Sequence, residues 1–202
     1  MKNLFQSLRK PKDDVFVTVV SGLPRSGTSM MMKMLEAGGL PPMTDQIRTP
    51  DDDNPKGYYE FERVKKMPDG DKAWVAEAHG KAIKVISALL EHLPGDLTYK
   101  IIFMCRQMDE VLASQKQMLI HSDKPTDKVS DEVLAGMYRK HLATVEAWLR
   151  AQPNVSVLYL DYNAMLADPR RYIAEINRFL GNQLDVEKMA AIVDPSLYRQ
   201  RR

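Results

Sequence analysis

Residues 15–37 read VFVTVVSGLPRSGTSMMMKMLEA, and the fold turns on how this stretch is divided. Val15 to Val20 form a short continuous apolar run rich in β-branched residues, which suits a strand buried on both faces. Thr28 to Ala37 read as a helix, stopped by Gly38-Gly39. Between them lies SGLPRSG, with Gly22 and Gly27 at the spacing of a phosphate-binding loop, G-x-x-x-x-G-K-[ST]. The lysine of that pattern is missing: Thr28 stands in its place, and Arg25 sits mid-loop.

The rest of the chain repeats the strand-then-helix alternation that marks an α/β fold with a parallel sheet. Residues 40–57, LPPMTDQIRTPDDDNPKG, read as a long loop without period, and 122–128 as a second one. Residues 72–80 suit a helix, Ala82 to Ile86 a short strand, and Ser87 to His92 a short helix before Pro94-Gly95. Tyr99 to Met104 form another buried strand, followed by a helix over Asp109 to Leu119. Ser130 caps the longest helix, which runs to about Gln152 with Leu134, Met137, Tyr138, His141, Leu142, Val145, Trp148 and Leu149 on its apolar face. Val155 to Leu160 read as a fourth strand. Asp168 and Pro169 then open a helix that Gly181 closes, and a short helix near 185–192 leads to a basic tail, YRQRR.

Composition narrows the function classes. With 29 basic and 27 acidic residues among 202, the charge balance gives no footprint for nucleic acid or a polybasic membrane surface. A 44% hydrophobic content argues for a packed core rather than disorder. No run reaches the ~20 apolar residues of a membrane helix. The first fourteen residues lack the apolar core of a leader, and the single cysteine, Cys105, forms no intrachain disulfide. A soluble, cytoplasmic protein that binds neither nucleic acid nor membrane is the expectation.

The glycine loop has a physical use. Its turn lines up backbone N–H groups in a nest, and the helix N-terminus adds partial positive charge, so the two together hold an oxyanion. Thr28 and Ser29 add hydroxyl donors. A tight turn that binds nothing is the plain alternative. In an open parallel sheet, ligands lie beyond the carboxyl ends of the strands. Lys84, Arg106 and Asp161-Tyr162 all fall at or near such ends. Taken one at a time, Lys84 suits a snorkelling lysine, Arg106 a surface salt bridge to Asp109 or Glu110, Tyr162 a core aromatic and Cys105 a small packed hydrophobe. Taken with the loop, Lys84 and Arg106 point to a site. His79 and His121 flank possible cleft segments.

SGLPRSGTSMMMKML resembles the 5′-phosphosulfate loop of sulfotransferases that use 3′-phosphoadenosine 5′-phosphosulfate (PAPS), in the PRSGT form of the tyrosylprotein enzymes and their bacterial relatives. YKIIFMCRQMDEVLASQ at 99–115 is similar to the family's 3′-phosphate segment, with an Arg ending a strand and a Ser eight residues on: Arg106 and Ser114. AIKVISALLEHLP at 82–94 resembles the segment with the active-site lysine, which places Lys84 there. VLYLDYNAMLADP with a later FLG resembles the late family pattern. The resemblance runs from about 14 to 181 and implies one domain over 1–202, with a P-loop-like three-layer fold, a central parallel sheet flanked by helices, and a basic tail at 195–202. It implies PAPS as donor, no metal, and Pro24, Arg25, Ser26, Gly27, Thr28, Ser29, Arg106, Ser114 and Tyr162 as the nucleotide site.

The reaction so implied is sulfuryl transfer to an acceptor hydroxyl or amine, with release of adenosine 3′,5′-bisphosphate. Lys84 and Arg25 would stabilise the transferring group and the leaving phosphate. Small-molecule members carry a His two residues after the strand lysine, where this chain has Ile86. The tyrosylprotein type uses a carboxylate downstream of the loop, and that resemblance implies a base in the 40–62 region, Glu60 first and Asp45 second. Arg199 and Arg201 are offered as substitutes for an Arg-Lys-Gly motif that some members use on the 3′-phosphate. The acceptor, a small molecule or a peptide, is not legible, and a monomer or a homodimer fits equally. Two rivals stand beside this reading: a Mg-ATP kinase or NTPase with Asp161 as its metal-holding residue, and a non-catalytic scaffold that only binds nucleotide.

Overall fold

The computed structural model describes residues 15–45, 47, 57–121, 125, 126 and 129–193. Among these residues four strands, β1 (Val17–Gly22), β2 (Ala82–Lys84), β3 (Tyr99–Cys105) and β4 (Val155–Asp161), form one sheet in the order β2-β1-β3-β4. Every ladder is parallel, with Val20 opposite Lys84, Gly22 opposite Met104, and Cys105 opposite Asp161. All four carboxyl ends therefore reach one edge. β2 and β3 flank β1 on either side, so the chain reverses its direction of winding beside β1, the place where such sheets bind ligands.

Among the described residues six α-helices accompany the sheet: α1 (Thr28–Ala37), α2 (Met108–His121), α3 (Asp131–Ala151), α4 (Tyr162–Ala167), α5 (Pro169–Leu180) and α6 (Val186–Ala190). Strand alternation divides the core into two layers. On one face Val20, Ile102 and Leu160 pack with Met31, Met34 and Leu35 of α1 and Ile173 and Ile176 of α5. On the other, Val19, Ile101 and Phe103 pack with Val145 and Leu149 of α3 and with Trp74 and Leu90 from short 3₁₀ turns. The result is the expected three-layer α/β arrangement. Among the described residues no helix is long and apolar enough to cross a membrane.

Local chemistry explains the helix ends. The Ser130 hydroxyl accepts from Val133 N, Asp161 caps α4 through Ala164 N at 2.8 Å, and Asp168 caps α5, whose first residue is Pro169. Gly181 ends α5 at φ 103°, a left-handed conformation that glycine adopts without steric cost.

Several expectations need correction. β1 starts at Val17 and runs to Gly22, because Val15 is exposed and Phe16 pairs with nothing in the sheet. β2 stops at Lys84, although Val85 N still donates to Val20 O at 3.0 Å. The segments at 73–78 and 87–92 are 3₁₀ helices, and a third covers Glu62–Asp69. The expected loop at 40–57 begins as an extended arm along β2: Ala82 N donates to Pro41 O and Met43 N to Ala82 O. Met137 is exposed rather than on the apolar face of α3, whose buried residues are Ala135, Val145 and Leu149. His79 bridges to Val17 at the amino end of β1, opposite the glycine loop. Asp51-Asp52-Asp53, Arg199, Arg201 and the rest of the 195–202 tail lie outside the described residues.

Candidate functional site

The glycine loop crosses the carboxyl edge between β1 and α1. Gly22 has φ 146°, and a Cβ there would come within 2.5 Å of Ser26 Oγ and 2.6 Å of Met104 O. Arg25 takes the left-handed region at φ 69°, unusual for a side chain of its size, and Gly27 follows at φ 96°. Ser26 is buried, and its hydroxyl and its amide both donate to Leu23 O, at 2.7 and 3.2 Å. Ser26 thus shapes the turn. Pro24 is exposed at its tip, and Thr28 is buried under the first turn of α1. The N-cap of α1 is Gly27, which has no side chain to cap the helix and leaves its first amides turned toward the loop.

Four further side chains named from the sequence meet at this loop. Arg25 Nε donates to Ser114 Oγ of α2 at 2.9 Å. Arg106, just past β3, donates from Nη1 to Arg25 O at 3.0 Å and from Nε to Glu110 Oε2 at 2.9 Å. Its guanidinium also lies 4.7 Å from the centre of the Tyr162 ring. That ring closes against Gly27 so tightly that any Cβ there would run into it. Burial raises the Tyr162 phenol above its ordinary pKa, and the charge of Arg106 opposes the rise, so the ring is a neutral wall.

Lys84 approaches from the other side. Opposite Val20, it points to the α1 face, where Nζ donates to Ser29 Oγ at 3.1 Å and to Tyr58 O at 2.8 Å. The loop that lacks a lysine therefore has one at the start of its helix, delivered by the neighbouring strand.

The two candidate bases share a junction. Thr44 Oγ1 donates to Glu60 O at 2.7 Å, and Asp45 N approaches the same oxygen at 3.4 Å. The Asp45 carboxylate accepts from Ile47 N at 3.1 Å and from Glu62 N at 2.6 Å, which makes it a cap for the 62–69 turn. Glu60 sits two residues beyond the carbonyl that holds Lys84, and its carboxylate is 3.4 Å from Lys65 Nζ. His121, at the end of α2, pairs with Gln117. Cys105 is half-buried, and burial pushes its thiol pKa up, as a packed hydrophobe requires.

Three participants escaped the sequence reading as site residues. Glu110 is 1% exposed and holds Arg106 in place; its spacing four residues on suggested a surface bridge, and the bridge is buried instead. Asn163 donates to the second oxygen of Glu110 at 2.9 Å. Its place beside Tyr162 was the available signal. The Tyr58 carbonyl carries no side-chain signature at all. Asp161, the metal holder of the kinase alternative, is occupied as the cap of α4, and among the described residues no group of three or more His, Cys, Asp or Glu is placed to hold a metal ion.

Residues 12–202 match the family model described as the sulfotransferase domain. Sulfotransferase 1A1 of Canis lupus familiaris is 28% identical over 120 residues, 56% of this chain, and the Bos taurus protein of the same name matches to the same extent. The match spans 41% of the length of each of these relatives. Among solved structures, the mouse sulfotransferase SULT7A1 complexed with PAP superposes with a TM-score of 0.54 at 18% identity, over 88% of this chain and 61% of that one. The sulfotransferase domain from the curacin biosynthetic pathway gives 0.53 at 14% identity, over 89% and 78%. At these identities the two structures speak to the fold, and it is the same P-loop-like α/β fold.

Proposed function

The chain belongs to the sulfotransferase domain family, and on that premise we propose that it transfers a sulfuryl group from PAPS to an acceptor hydroxyl or amine, releasing adenosine 3′,5′-bisphosphate. The observation that carries the reading is the supply of Lys84 to Ser29 at the start of α1, beside a loop whose own lysine is absent. PAPS, when bound, supplies the activated sulfuryl group; the residues do the rest. The α1 amides, Thr28 and Ser29 receive the 5′ end, and Lys84 and Arg25 stabilise charge on the bridging oxygen. A preorganised donor of this kind contributes ~3 kcal/mol to the transition state. Arg106 and Ser114 take the 3′-phosphate, with Tyr162 beside the base. Glu60 accepts the acceptor's proton, and Asp45 stays second because both its oxygens already cap backbone amides. No metal is needed, since a sulfuryl group carries less charge than a phosphoryl group and positioning does most of the work. The acceptor is a small molecule or a peptide, the whole chain acts as one domain, and a reducing cytoplasm suits its single cysteine.

Calorimetry with adenosine 3′,5′-bisphosphate, with ATP as control and without metal, tests the nucleotide site. Micromolar bisphosphate binding is the expected result; binding of ATP alone, or a requirement for Mg²⁺, would return the kinase alternative. A screen of transfer from labelled PAPS to phenols, alcohols, sugars and tyrosine peptides then separates the enzyme from a scaffold that binds without transferring.

A further inference from the structure

The strap at residues 57–60 lies along α1 and touches it at two places. Tyr58 O accepts from Lys84 Nζ at 2.8 Å and from Ser29 Oγ at 3.5 Å. One residue on, Tyr59 Oη donates to Glu36 Oε2 at 2.5 Å. Ser29 and Glu36 are seven residues apart, so they share one face of α1 about 10 Å from each other along its axis. The strap bends to meet both points: Gly57 has φ 88° and Tyr59 φ 54°. The left-handed region is costly for a residue as bulky as tyrosine, and such a conformation persists only where its surroundings enforce it. Tyr58 is 4% exposed, and Thr44 holds Glu60 O beyond it. Burial, and next the bond to Glu36, raise the Tyr59 phenol pKa far above its ordinary value, so the hydroxyl remains a donor at every pH at which the protein works.

A lysine ammonium on a four-carbon stem does not aim itself; it needs acceptors to fix it. We propose that the Tyr59–Glu36 hydrogen bond is a latch that positions Lys84, holding the Tyr58 carbonyl where it directs the ammonium at Ser29 and the start of α1. Neither Lys84 bond given above goes to Tyr59 or Glu36; they are positioning residues that act through a backbone carbonyl. The latch concerns where Nζ sits, and only its effect on rate rests on the proposed sulfuryl transfer.

The test uses the full chain with Tyr59→Phe, Glu36→Ala, the two combined, and Glu36→Gln, which keeps an acceptor. Brief acylation with acetic anhydride, read lysine by lysine by mass spectrometry against exposed Lys140, reports the hold on Lys84. Each single variant should raise relative Lys84 acylation about fivefold, the factor set by one ordinary hydrogen bond. The double variant should match the singles, and Glu36→Gln should stay near the unsubstituted protein. Unchanged Lys84 acylation in both singles, or a rise at every lysine alike, overturns the latch. In the transfer assay the singles should lower kcat by a similar factor with KM for PAPS nearly constant; equal losses in kcat and in bisphosphate affinity would mean general loosening and also overturn it. If the unsubstituted protein moves no sulfuryl group, the functional reading fails by itself, and the acylation arm still decides the latch.

Discussion

Arg106 is where two readings of one residue can be pulled apart. Its side chain is 8% exposed and that of its partner Glu110 only 1%, with 2.9 Å between Nε and Oε2. A buried carboxylate that loses its cation is costly, so Arg106→Met should destabilise the fold by about 3–5 kcal/mol. At about 2–4 °C per kcal/mol for a chain this size, the melting temperature should fall by on the order of 10 °C. Most of that loss comes from stranding Glu110, not from an intrinsic worth of the pair. Replacing both partners, Arg106→Met with Glu110→Leu, should therefore recover much of the stability, less what Asn163 loses on Oε1. Nucleotide affinity should behave differently. If Arg106 clamps the 3′-phosphate, both variants lose about 2 kcal/mol or more of bisphosphate binding, about thirtyfold or greater. Thermal unfolding and calorimetry on the single and double variants supply the two numbers. A double variant that regains its stability and binds the bisphosphate like the unsubstituted protein would refute the clamp and leave Arg106 a purely structural cation.

Further substitutions probe the same edge. Lys84→Met should cut transfer by ~10²-fold, as loss of a preorganised donor does, while bisphosphate affinity by calorimetry changes far less; full activity would remove it from the chemistry. Gly27→Ala meets both a φ of 96° and the Tyr162 ring, so it should lose more than about 1 kcal/mol in a denaturant melt, with part restored by Tyr162→Ala. Glu60→Gln should lower kcat with KM for PAPS nearly constant, whereas Asp45→Asn should act on stability, by about 1 kcal/mol for a weakened cap; the reverse pattern would exchange their roles. Titration of Cys105 supplies a pH test. Burial, and next the charge of Asp161, raise its pKa, so the neutral thiol is the form that the fold favours. The corresponding stability is present below the unfolded thiol value and is lost as pH rises through the folded one. Alkylation by iodoacetamide near pH ~8.5 should accordingly lag well behind that of the unfolded chain.

The parts of the site that were legible in the sequence are those whose chemistry resides in side chains at fixed offsets. Gly22, Gly27 and Thr28 announce a turn feeding a helix, and Arg106 with Ser114 announce a strand end and the helix after it. Parallel pairing then does what no local pattern can, setting Lys84 opposite Val20 and Cys105 opposite Asp161 so that distant motifs reach one edge. Backbone groups and burial were not legible. Tyr58 contributes a carbonyl, Asp45 proves to be a cap, and the Arg106–Glu110 bridge, ordinary in sequence, is buried. The 3₁₀ turns at 62–69, 73–78 and 87–92 were misread or missed because each is too short for a helical period to declare itself.

The missing lysine is the clearest case of structure revising a motif. Lys84 stands on a strand whose register is fixed by the ladder to β1, and its ammonium is held by Tyr58 O and Ser29. The position it vacates is Thr28, buried under the first turn, and the loop cation becomes Arg25, whose left-handed backbone directs its side chain across to Ser114 on α2. Positive charge is thus divided between two rigid supports on opposite sides of the α1 N-terminus. That division places one cation on the side of Tyr58, next to the candidate base Glu60, and the other on the side of the candidate 3′-phosphate residues. A single loop lysine could serve only one of the two, so Arg25→Lys should leave Lys84 acylation unchanged yet weaken bisphosphate binding, because a point charge does not reproduce the guanidinium's bond to Ser114.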